Sequence, residues 1–399
     1  MKKEKRDILF NCQYFYPEYV TAASLAFDAA KALSKAGFTV DALCGYPKEY
    51  CNDKDIAKNE TVEGINIKRV RYLQLDRKNA IGRIINYVSF FVSMLFQFFK
   101  LKNYKIIVTY STPPVLPFLA AMAGKFFGTK HIFVCFDVYP EIAINSGATK
   151  KNSLMSAFMR FVNRRVYIRA AKVVALSTEM KDFIVKNREI AEENVVVIPN
   201  WHRDLSENNT DSEGNEKSKF RVSYLGNMGT CQDMDTIISA MELLKDDNDI
   251  EFVFAGHGNK VSDIENAAEK FGNARVYGFL QGEEYKKVLS ESDCFLVSLE
   301  KSIVGLGVPS KTYSYMMMGK PIISIMDDCD INKDIIDYNC GYTIKNGAAS
   351  DLVNAIRELS KDNEKAKLMG QGSRKVFEEK YTSEICLNEY CKMLKELIN

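Results

Sequence analysis

The chain of 399 residues has few of the residues that build metal centres and disulfide frameworks. It contains three histidines, and its ten cysteines are scattered without a C-x-x-C pair. Zinc-ligand spacing is therefore absent, and we expect no metal site. In a chain of this length, unpaired cysteines are most simply reduced thiols, which predicts a cytoplasmic protein.

Excess charge and a membrane-spanning apolar run are also missing. The 54 basic and 52 acidic residues leave a net charge of +2, which gives no electrostatic case for binding nucleic acid. Sixteen uncharged residues separate Arg83 from Lys100, fewer than the roughly 20 that span a bilayer. A run of this length favours a helix that packs on a sheet in the protein core. The alternative is a helix in the membrane interface, with Arg83, Lys100 and Lys102 at head groups.

A second amphipathic stretch lies at 158–169 and carries four arginines. They are Arg160, Arg164, Arg165 and Arg169, interleaved with apolar side chains. Such a pattern is typical of a solvated surface helix. The same arginines would face an anionic membrane or a lipid diphosphate if the helix lay beside one.

Both halves of the chain alternate short apolar strands with helical patterns, which predicts parallel, doubly wound α/β sheets. The length suggests two domains. Residues 203–219 are almost free of apolar side chains and predict a polar linker. We therefore expect an N-terminal domain at 1–202 and a C-terminal domain at 220–375. A final helix at 376–399 is expected to pack back on the N-terminal domain.

The most informative motif is the glycine-rich turn that starts at Gly305 and delivers Pro309, Ser310 and Lys311 to a predicted helix ending at Gly319. Helix N-termini bind phosphate well. A lysine in the first turn opposes the helix dipole unless an anion is present. The motif therefore predicts a phosphate site, and the alternative is an ordinary loop-to-helix junction with a solvated lysine.

Two further glycine turns follow predicted strands in the second half. Gly226, Asn227 and Gly229 follow the first strand, and Gly256 with His257 follows the next. Glycines allow a ligand phosphate to approach the backbone, although tight strand-to-helix turns need glycine anyway. His257 is alternatively a plain surface residue. Since these turns and the Lys311 motif all end strands of one sheet, we expect them to converge on one ligand site.

Carboxylates and aromatics occupy the corresponding strand ends of the first half. Asp137 and Glu141 flank a proline after a strand and could hold a sugar hydroxyl or accept a proton. The alternative is a helix N-cap with a first-turn glutamate. An aromatic loop after the first strand contains Tyr14, Tyr16 and Glu18. This loop either contacts an acceptor or packs within the protein.

Taken together, these segments resemble glycosyltransferase family 4 with the GT-B fold, in which two Rossmann-like α/β domains face each other across a cleft. The resemblance is to its Pro-Ser-Lys branch, similar to bacterial O-antigen and capsule amino-sugar transferases. The matching segments occur in family order over residues 8–375, at 14–18, 137–141, 198–200, 226–229, 256–258, 308–311 and 319–321.

The resemblance implies a retaining transferase with a nucleotide-diphosphate sugar, UDP being favoured, in the C-terminal domain. It also implies an acceptor in the N-terminal domain, no required metal and no separate cofactor. The acceptor would be a polyprenyl-diphosphate-linked saccharide at the inner face of the membrane. The implied donor-binding residues are Gly226, Asn227, Gly229, Gly256, His257, Pro309, Ser310, Lys311 and Ser314. Lys311, Asp137 and Glu141 are the catalytic candidates, and Tyr14, Tyr16 and Glu18 the acceptor-binding ones.

Two departures from the broad family matter. Leu306 and Ser314 stand where two glutamates are common, and Asn227 and Gln232 stand nearest the usual arginine and lysine. We hypothesise that Lys311 supplies the missing positive charge. Two alternatives stay open: a nucleotide-sugar 2-epimerase of the same fold, and a catalytically degenerate nucleotide-sugar-binding partner subunit.

Overall fold

The structure, a computed structural model, describes residues 4–47, 51, 55–75, 80–204 and 219–398. The chain divides into two α/β units. The first comprises residues 1–144, 148–199 and 386–399, and the second comprises 145–147 and 200–385. Most of the predicted linker at 203–219 lies outside the described residues.

The first unit is built on an eight-stranded sheet in the order β3-β4-β2-β1-β5-β6-β7-β8, with every pair parallel except β3 and β4. Its central strands are buried on both faces, as apolar runs in parallel sheets require. The strands are β1 (Arg6–Asn11), β2 (Val40–Gly45), β3 (Asn59–Val62), β4 (Ile65–Val70), β5 (Tyr104–Tyr110), β6 (Lys130–Val134), β7 (Lys172–Ala175) and β8 (Val195–Val197).

Helices connect these strands, and most of them bury apolar faces against the sheet. They are α1 (Thr21–Lys35), α2 (Ala80–Leu95), α3 (Pro117–Phe127), α4 (Glu141–Asn145), α5 (Leu154–Arg169) and α6 (Thr178–Asn187). In α2, Phe90 and Met94 enter the core with Leu9 and Leu43 of the sheet. The predicted core helix is therefore present. Within the described residues, no helix is long and apolar enough to cross a membrane.

The second unit contains a six-stranded, fully parallel sheet in the order β11-β10-β9-β12-β13-β14. Its strands are β9 (Phe220–Asn227), β10 (Ile250–His257), β11 (Ala274–Tyr277), β12 (Cys294–Ser298), β13 (Ile322–Ile325) and β14 (Gly341–Ile344). Its helices are α7 (Met234–Leu243), α8 (Val261–Phe271), α9 (Gly282–Glu291), α10 (Lys311–Met317), α11 (Asp330–Asp337), α12 (Ala349–Lys361) and α13 (Asn363–Val376).

The C-terminal segment differs from the predicted continuous helix at 376–399. A short π-helical turn, Phe377–Tyr381, follows α13, and the last helix, α14, runs over Ser383–Ile398. The break lies at Thr382, whose backbone is extended and whose Oγ1 accepts from the N–H of Ile385 at 3.4 Å. Thr382 therefore acts as a helix-starting residue, a role for which threonine is well suited. Residues 386–399 belong to the first unit.

Candidate functional site

The second sheet has a topological switch point beside β9. From β9, the strand order proceeds through β10 on one side and through β12 on the other. In open α/β sheets, ligands bind outside the carboxyl ends of the strands at such a point. Here β9 ends at Asn227 and β12 at Ser298. The turn before α10 follows β12, so topology places Lys311 on this edge.

Lys311 is the first residue of α10, and its ammonium is buried without a hydrogen-bond partner among the described residues. Its Nζ lies 3.3 Å from the ring centroid of Tyr224, a cation–π contact. Burial holds the pKa of Lys311 well below its usual range. A buried amine with only an aromatic face beside it favours its neutral form, and an anion that reached it would restore its charge.

Gly226, at the end of β9, leaves space beside this ammonium. Its φ is +145°, and a Cβ placed on it would lie 3.4 Å from the Nζ of Lys311. A side chain at this position would therefore crowd the ammonium, and glycine leaves the space beside it free. The structure thus brings two predicted donor residues, Gly226 and Lys311, together from different elements.

Tyr315 fixes α10 against the end of β9. Its hydroxyl accepts from the N–H of Leu225 at 2.7 Å and donates to the carbonyl of the same residue at 2.9 Å. Its ring stacks on Phe295 with centroids 4.2 Å apart. Sequence reasoning missed Tyr315 and Tyr224. The available signal for Tyr315 was its position one turn after Lys311, on the same helical face.

The other glycines have structural explanations. A Cβ on Gly256 would lie 1.9 Å from the carbonyl oxygen of Gly226, and a Cβ on Gly258 would lie 2.1 Å from that of Met228. Both glycines are therefore required by the close approach of two adjacent turns. The N–H of Gly229 donates to the Oε1 of Gln232 at 3.0 Å, which closes its own turn.

The remaining predicted donor residues mostly make local contacts. The Nδ2 of Asn227 donates to Gln232 at 3.2 Å, and His257 contacts Phe279 edge-on with centroids 5.5 Å apart. The Oγ of Ser314 donates to the carbonyl of Lys311 at 2.7 Å. The carbonyl of Pro309 accepts from Thr312, whereas the side chain of Ser310 makes no capping hydrogen bond to α10.

In the first unit, Asp137 follows β6 at the carboxyl edge of the sheet. Its backbone N–H donates to the Oγ of Ser111 at 3.0 Å, which anchors the loop to the end of β5. Burial raises the pKa of Asp137 to about 6. A carboxyl group with such a pKa exchanges a proton readily near neutral pH, as a general acid or base must.

Glu141, in contrast, is held by a structural partner. It begins α4, and its Oε2 lies 2.5 Å from a guanidinium nitrogen of Arg188, which also donates to the carbonyl of Tyr139 at 3.2 Å. This geometry matches the first-turn glutamate that the sequence left as the alternative to a catalytic carboxylate. Asp137 and Glu141 therefore have different surroundings. Of the two side-chain carboxylates, only that of Asp137 has no partner among the described residues.

The loop after β1 is mainly a packing element. The carboxylate of Glu18 accepts from the N–H of Phe15 at 3.2 Å, and Tyr16 stacks on Phe27 with centroids 4.7 Å apart. Tyr14 is almost fully buried. Sequence reasoning missed Gln13, which is buried, and neither of its amide atoms has a partner among the described residues. A buried amide without partners is costly, so Gln13 is a further candidate for contact with a polar ligand.

In the described ranges, no group of three or more His, Cys, Asp or Glu side chains could hold a metal ion.

Two family models match the chain, one on each half. "Glycosyl transferases group 1" matches residues 206–376, and "Glycosyl transferase 4-like domain" matches residues 23–201. Together they cover the segments that carry Lys311 and Asp137.

Curated relatives and solved structures agree with these matches. The probable glycosyltransferase WbjE of Pseudomonas aeruginosa is 25% identical over 307 residues, covering 74% of this chain and 75% of the relative. The putative colanic acid biosynthesis glycosyl transferase WcaI of Escherichia coli is 22% identical over 261 residues, covering 60% of this chain and 62% of the relative. The structure of Anabaena HepE in complex with UDP-glucose superposes with a TM-score of 0.69 at 13% identity, covering 98% of this chain and 100% of HepE.

Proposed function

Since the chain belongs to glycosyltransferase family 4, we propose that it transfers a sugar from a nucleotide-diphosphate donor to a lipid-diphosphate-linked saccharide in bacterial surface polysaccharide synthesis. We propose a UDP-linked N-acetylated hexosamine as the donor and retention of the anomeric configuration. The colanic acid relative supports the polysaccharide context, and the HepE complex supports UDP.

The observation that carries the donor site is the ammonium of Lys311, which is buried beside Gly226 and has no hydrogen-bond partner among the described residues. A diphosphate that reached the end of β9 would make a charge-assisted hydrogen bond with this group. As the bond to the sugar breaks, negative charge accumulates on the leaving diphosphate, and the ammonium of Lys311, whose charge the bound diphosphate restores, stabilises it. In this proposal Lys311 is the catalytic residue of the donor side.

On the acceptor side, we assign the proton transfer to Asp137. With a pKa of about 6, its carboxylate is mostly ionised at neutral pH and can accept the proton of an acceptor hydroxyl. Glu141 is already engaged by Arg188 and serves the fold in this proposal. Gln13 and Tyr14 are the candidates for orienting the acceptor, since both are buried at the end of β1.

Peripheral attachment to the inner face of the membrane completes the proposal. Sixteen of the 22 large apolar residues that are exposed among the described residues lie in the first unit. Many belong to α2 and α5, which expose Ile81, Val88, Leu154 and Phe158. The segments 80–103, 117–130 and 150–172 contain twelve lysines and arginines and no acidic residue. Such apolar and basic helices suit an anionic membrane surface.

A donor-binding experiment tests the proposal. The unfolding temperature of the wild type, Lys311→Ala and the matched surface variant Lys287→Ala would be measured with UDP, GDP, ADP and TDP, because a bound ligand stabilises in proportion to its occupancy. We expect UDP to stabilise the wild type and Lys287→Ala. Loss of one charge-assisted bond costs about 1.5–3 kcal/mol, so Lys311→Ala should bind UDP about 10- to 150-fold more weakly.

Product analysis separates this function from its alternatives. A transferase needs an acceptor, whereas a 2-epimerase converts the donor alone, and a degenerate partner subunit binds nucleotide without turnover. Donor affinity and turnover of Lys311→Ala near those of the wild type would contradict the role assigned to Lys311.

A further inference from the structure

The first unit contains a cavity of about 400 Å³ between β2, β4 and the 3₁₀ turn Phe98–Asn103. Lys68 of β4 and Lys100 of the turn both line it. The two lysines are therefore neighbours across one cavity, and Lys100 lowers the pKa of Lys68. Two ammonium groups so close repel each other, so the arrangement costs free energy unless an anion lies between them.

The two carboxylates in the cavity wall do not neutralise this lysine pair. Asp41 is engaged by the Nε of Arg6 at 2.7 Å and by the hydroxyl of Tyr104 at 2.8 Å. Glu60 is paired with Arg69. Across the described part of the chain, neither lysine forms an ion pair, and the Nζ of Lys100 donates to the Oε1 of Gln97 at 2.7 Å.

We propose that this cavity is a binding site for a phosphate group, held between the ammonium groups of Lys68 and Lys100. Lysines are strongly hydrated point charges with three donors each, and a pair of them satisfies a phosphate without bidentate geometry. The site is separate from Lys311, which belongs to the second unit.

The surroundings of the cavity favour a lipid head group as the source of the phosphate. The turn that carries Lys100 also carries Phe99, which is exposed, and Phe96, two residues before the turn, is 81% exposed. Aromatic side chains at the acyl boundary with lysines at the level of the phosphates are a typical interfacial arrangement. The choice of a lipid source rests on the membrane attachment proposed above, whereas the phosphate site itself does not. A soluble phosphate ester is the alternative source.

The first arm of the test uses soluble anions. Unfolding temperatures would be measured in phosphate-free buffer, with inorganic phosphate or glycerol phosphate added at constant ionic strength. The cavity variant is Lys68→Gln/Lys100→Gln. The control, Lys102→Gln/Lys125→Gln, loses the same charge and does not alter the cavity lining. Without anions, the cavity variant should unfold at or above the wild-type temperature, because the repulsion is removed. A folding failure is therefore not expected, and the single Lys100→Gln variant serves as a second probe.

The second arm measures sedimentation with vesicles of phosphatidylcholine alone or mixed with phosphatidylglycerol. If a lipid head group fills the cavity, the cavity variant should lose at least tenfold more affinity for the anionic vesicles than the control. If a soluble ester fills it, the added phosphate should stabilise the wild type and the control but not the cavity variant. Either result supports the phosphate site and identifies the source.

The proposal is overturned if the cavity variant responds like the control in both arms. Neither arm contains a sugar donor or acceptor, and Lys311→Ala should behave like the wild type in both. Failure of the donor-site proposal would therefore be distinguishable from failure of the lysine cavity.

Discussion

The ammonium of Lys311 lies over the ring of Tyr224, 3.3 Å from its centroid, although the two residues come from different elements. Tyr224 is in β9 and Lys311 begins α10, so this contact depends on how the helix packs against the strand. The ring gives the buried cation a weak electrostatic partner while leaving its other donors unsatisfied. The contribution of the Tyr224 ring to ligand binding can therefore be tested by substitution, as can that of Lys311.

Tyr224→Leu should weaken UDP binding about tenfold, whereas Tyr224→Phe should change it less than threefold. The leucine variant removes the aromatic face that holds the ammonium, a contact worth about 0.5–2 kcal/mol. The phenylalanine variant keeps the face and loses only the hydrogen bond from the hydroxyl to the carbonyl of Asn227. Calorimetric titration with UDP measures both. Equal losses in the two variants would show that the hydroxyl, not the ring, is the important group.

Lys311→Met should stabilise the ligand-free protein at pH 7 while it weakens UDP binding. Because burial lowers the pKa of Lys311, the native state binds fewer protons than the unfolded chain over the pH range between this lowered pKa and the pKa of an unfolded lysine. Stability of the wild type should therefore rise with pH relative to the methionine variant, up to the unfolded pKa of lysine. Replacing an unsatisfied buried amine by an apolar side chain contributes about 1–3 kcal/mol.

Thermal unfolding of Lys311→Met and the wild type between pH 6 and 9 measures this difference. UDP titrations in buffers of different ionisation enthalpy should also show proton uptake by the wild type and none by the variant. A less stable methionine variant would mean that the ammonium already has a partner in the free protein.

Much of this architecture could be predicted from the sequence, because continuous apolar strands and glycine-ended helices identify parallel α/β sheets. The β3–β4 hairpin was missed, since Asn59–Val62 is polar and its turn, Glu63-Gly64, is short. The helix start at Lys311 was predicted. The burial of Lys311 against Tyr224 was not, because it depends on how α10 packs on β9, which no local pattern contains.

The two carboxylates of the first unit show the same limit of prediction from sequence. Asp137 and Glu141 have equivalent sequence signals, but the guanidinium that separates their roles belongs to Arg188, 47 residues after Glu141. Only the fold brings this partner to one carboxylate and not to the other. Long-range pairing of this kind is the part of a site that a single sequence does not reveal.

Asp137→Asn should lower kcat by about 10²–10⁴, the usual contribution of a general base. Because the native pKa of Asp137 is raised to about 6 from 3.8, the wild type loses stability as the pH rises from about 4 to 6. The asparagine variant should lack this loss and should be the more stable protein above pH 6. Glu141→Gln is the matched control.

The control should show the opposite pattern. Glu141→Gln removes the ion pair with Arg188, so it should lower the unfolding temperature and change kcat only a few-fold. Steady-state kinetics and thermal unfolding against pH check both variants. A large kcat loss in Glu141→Gln with little loss in Asp137→Asn would show that Glu141, and not Asp137, is the general base.

Phe96→Ser/Leu154→Ser should weaken attachment to anionic vesicles without destabilising the protein. Phe96 is 81% exposed and Leu154 is 91% exposed, so neither substitution opens a cavity in the core. Complete burial of one such side chain in the membrane would contribute about 1.5–3 kcal/mol, and we expect the double variant to lose at least tenfold in vesicle partitioning. Phe279→Ser/Ile336→Ser, which alters two exposed apolar residues of the second unit, should partition like the wild type. Unchanged partitioning of the first variant, with a shift in its sedimentation coefficient, would indicate that these apolar side chains bind protein and not lipid.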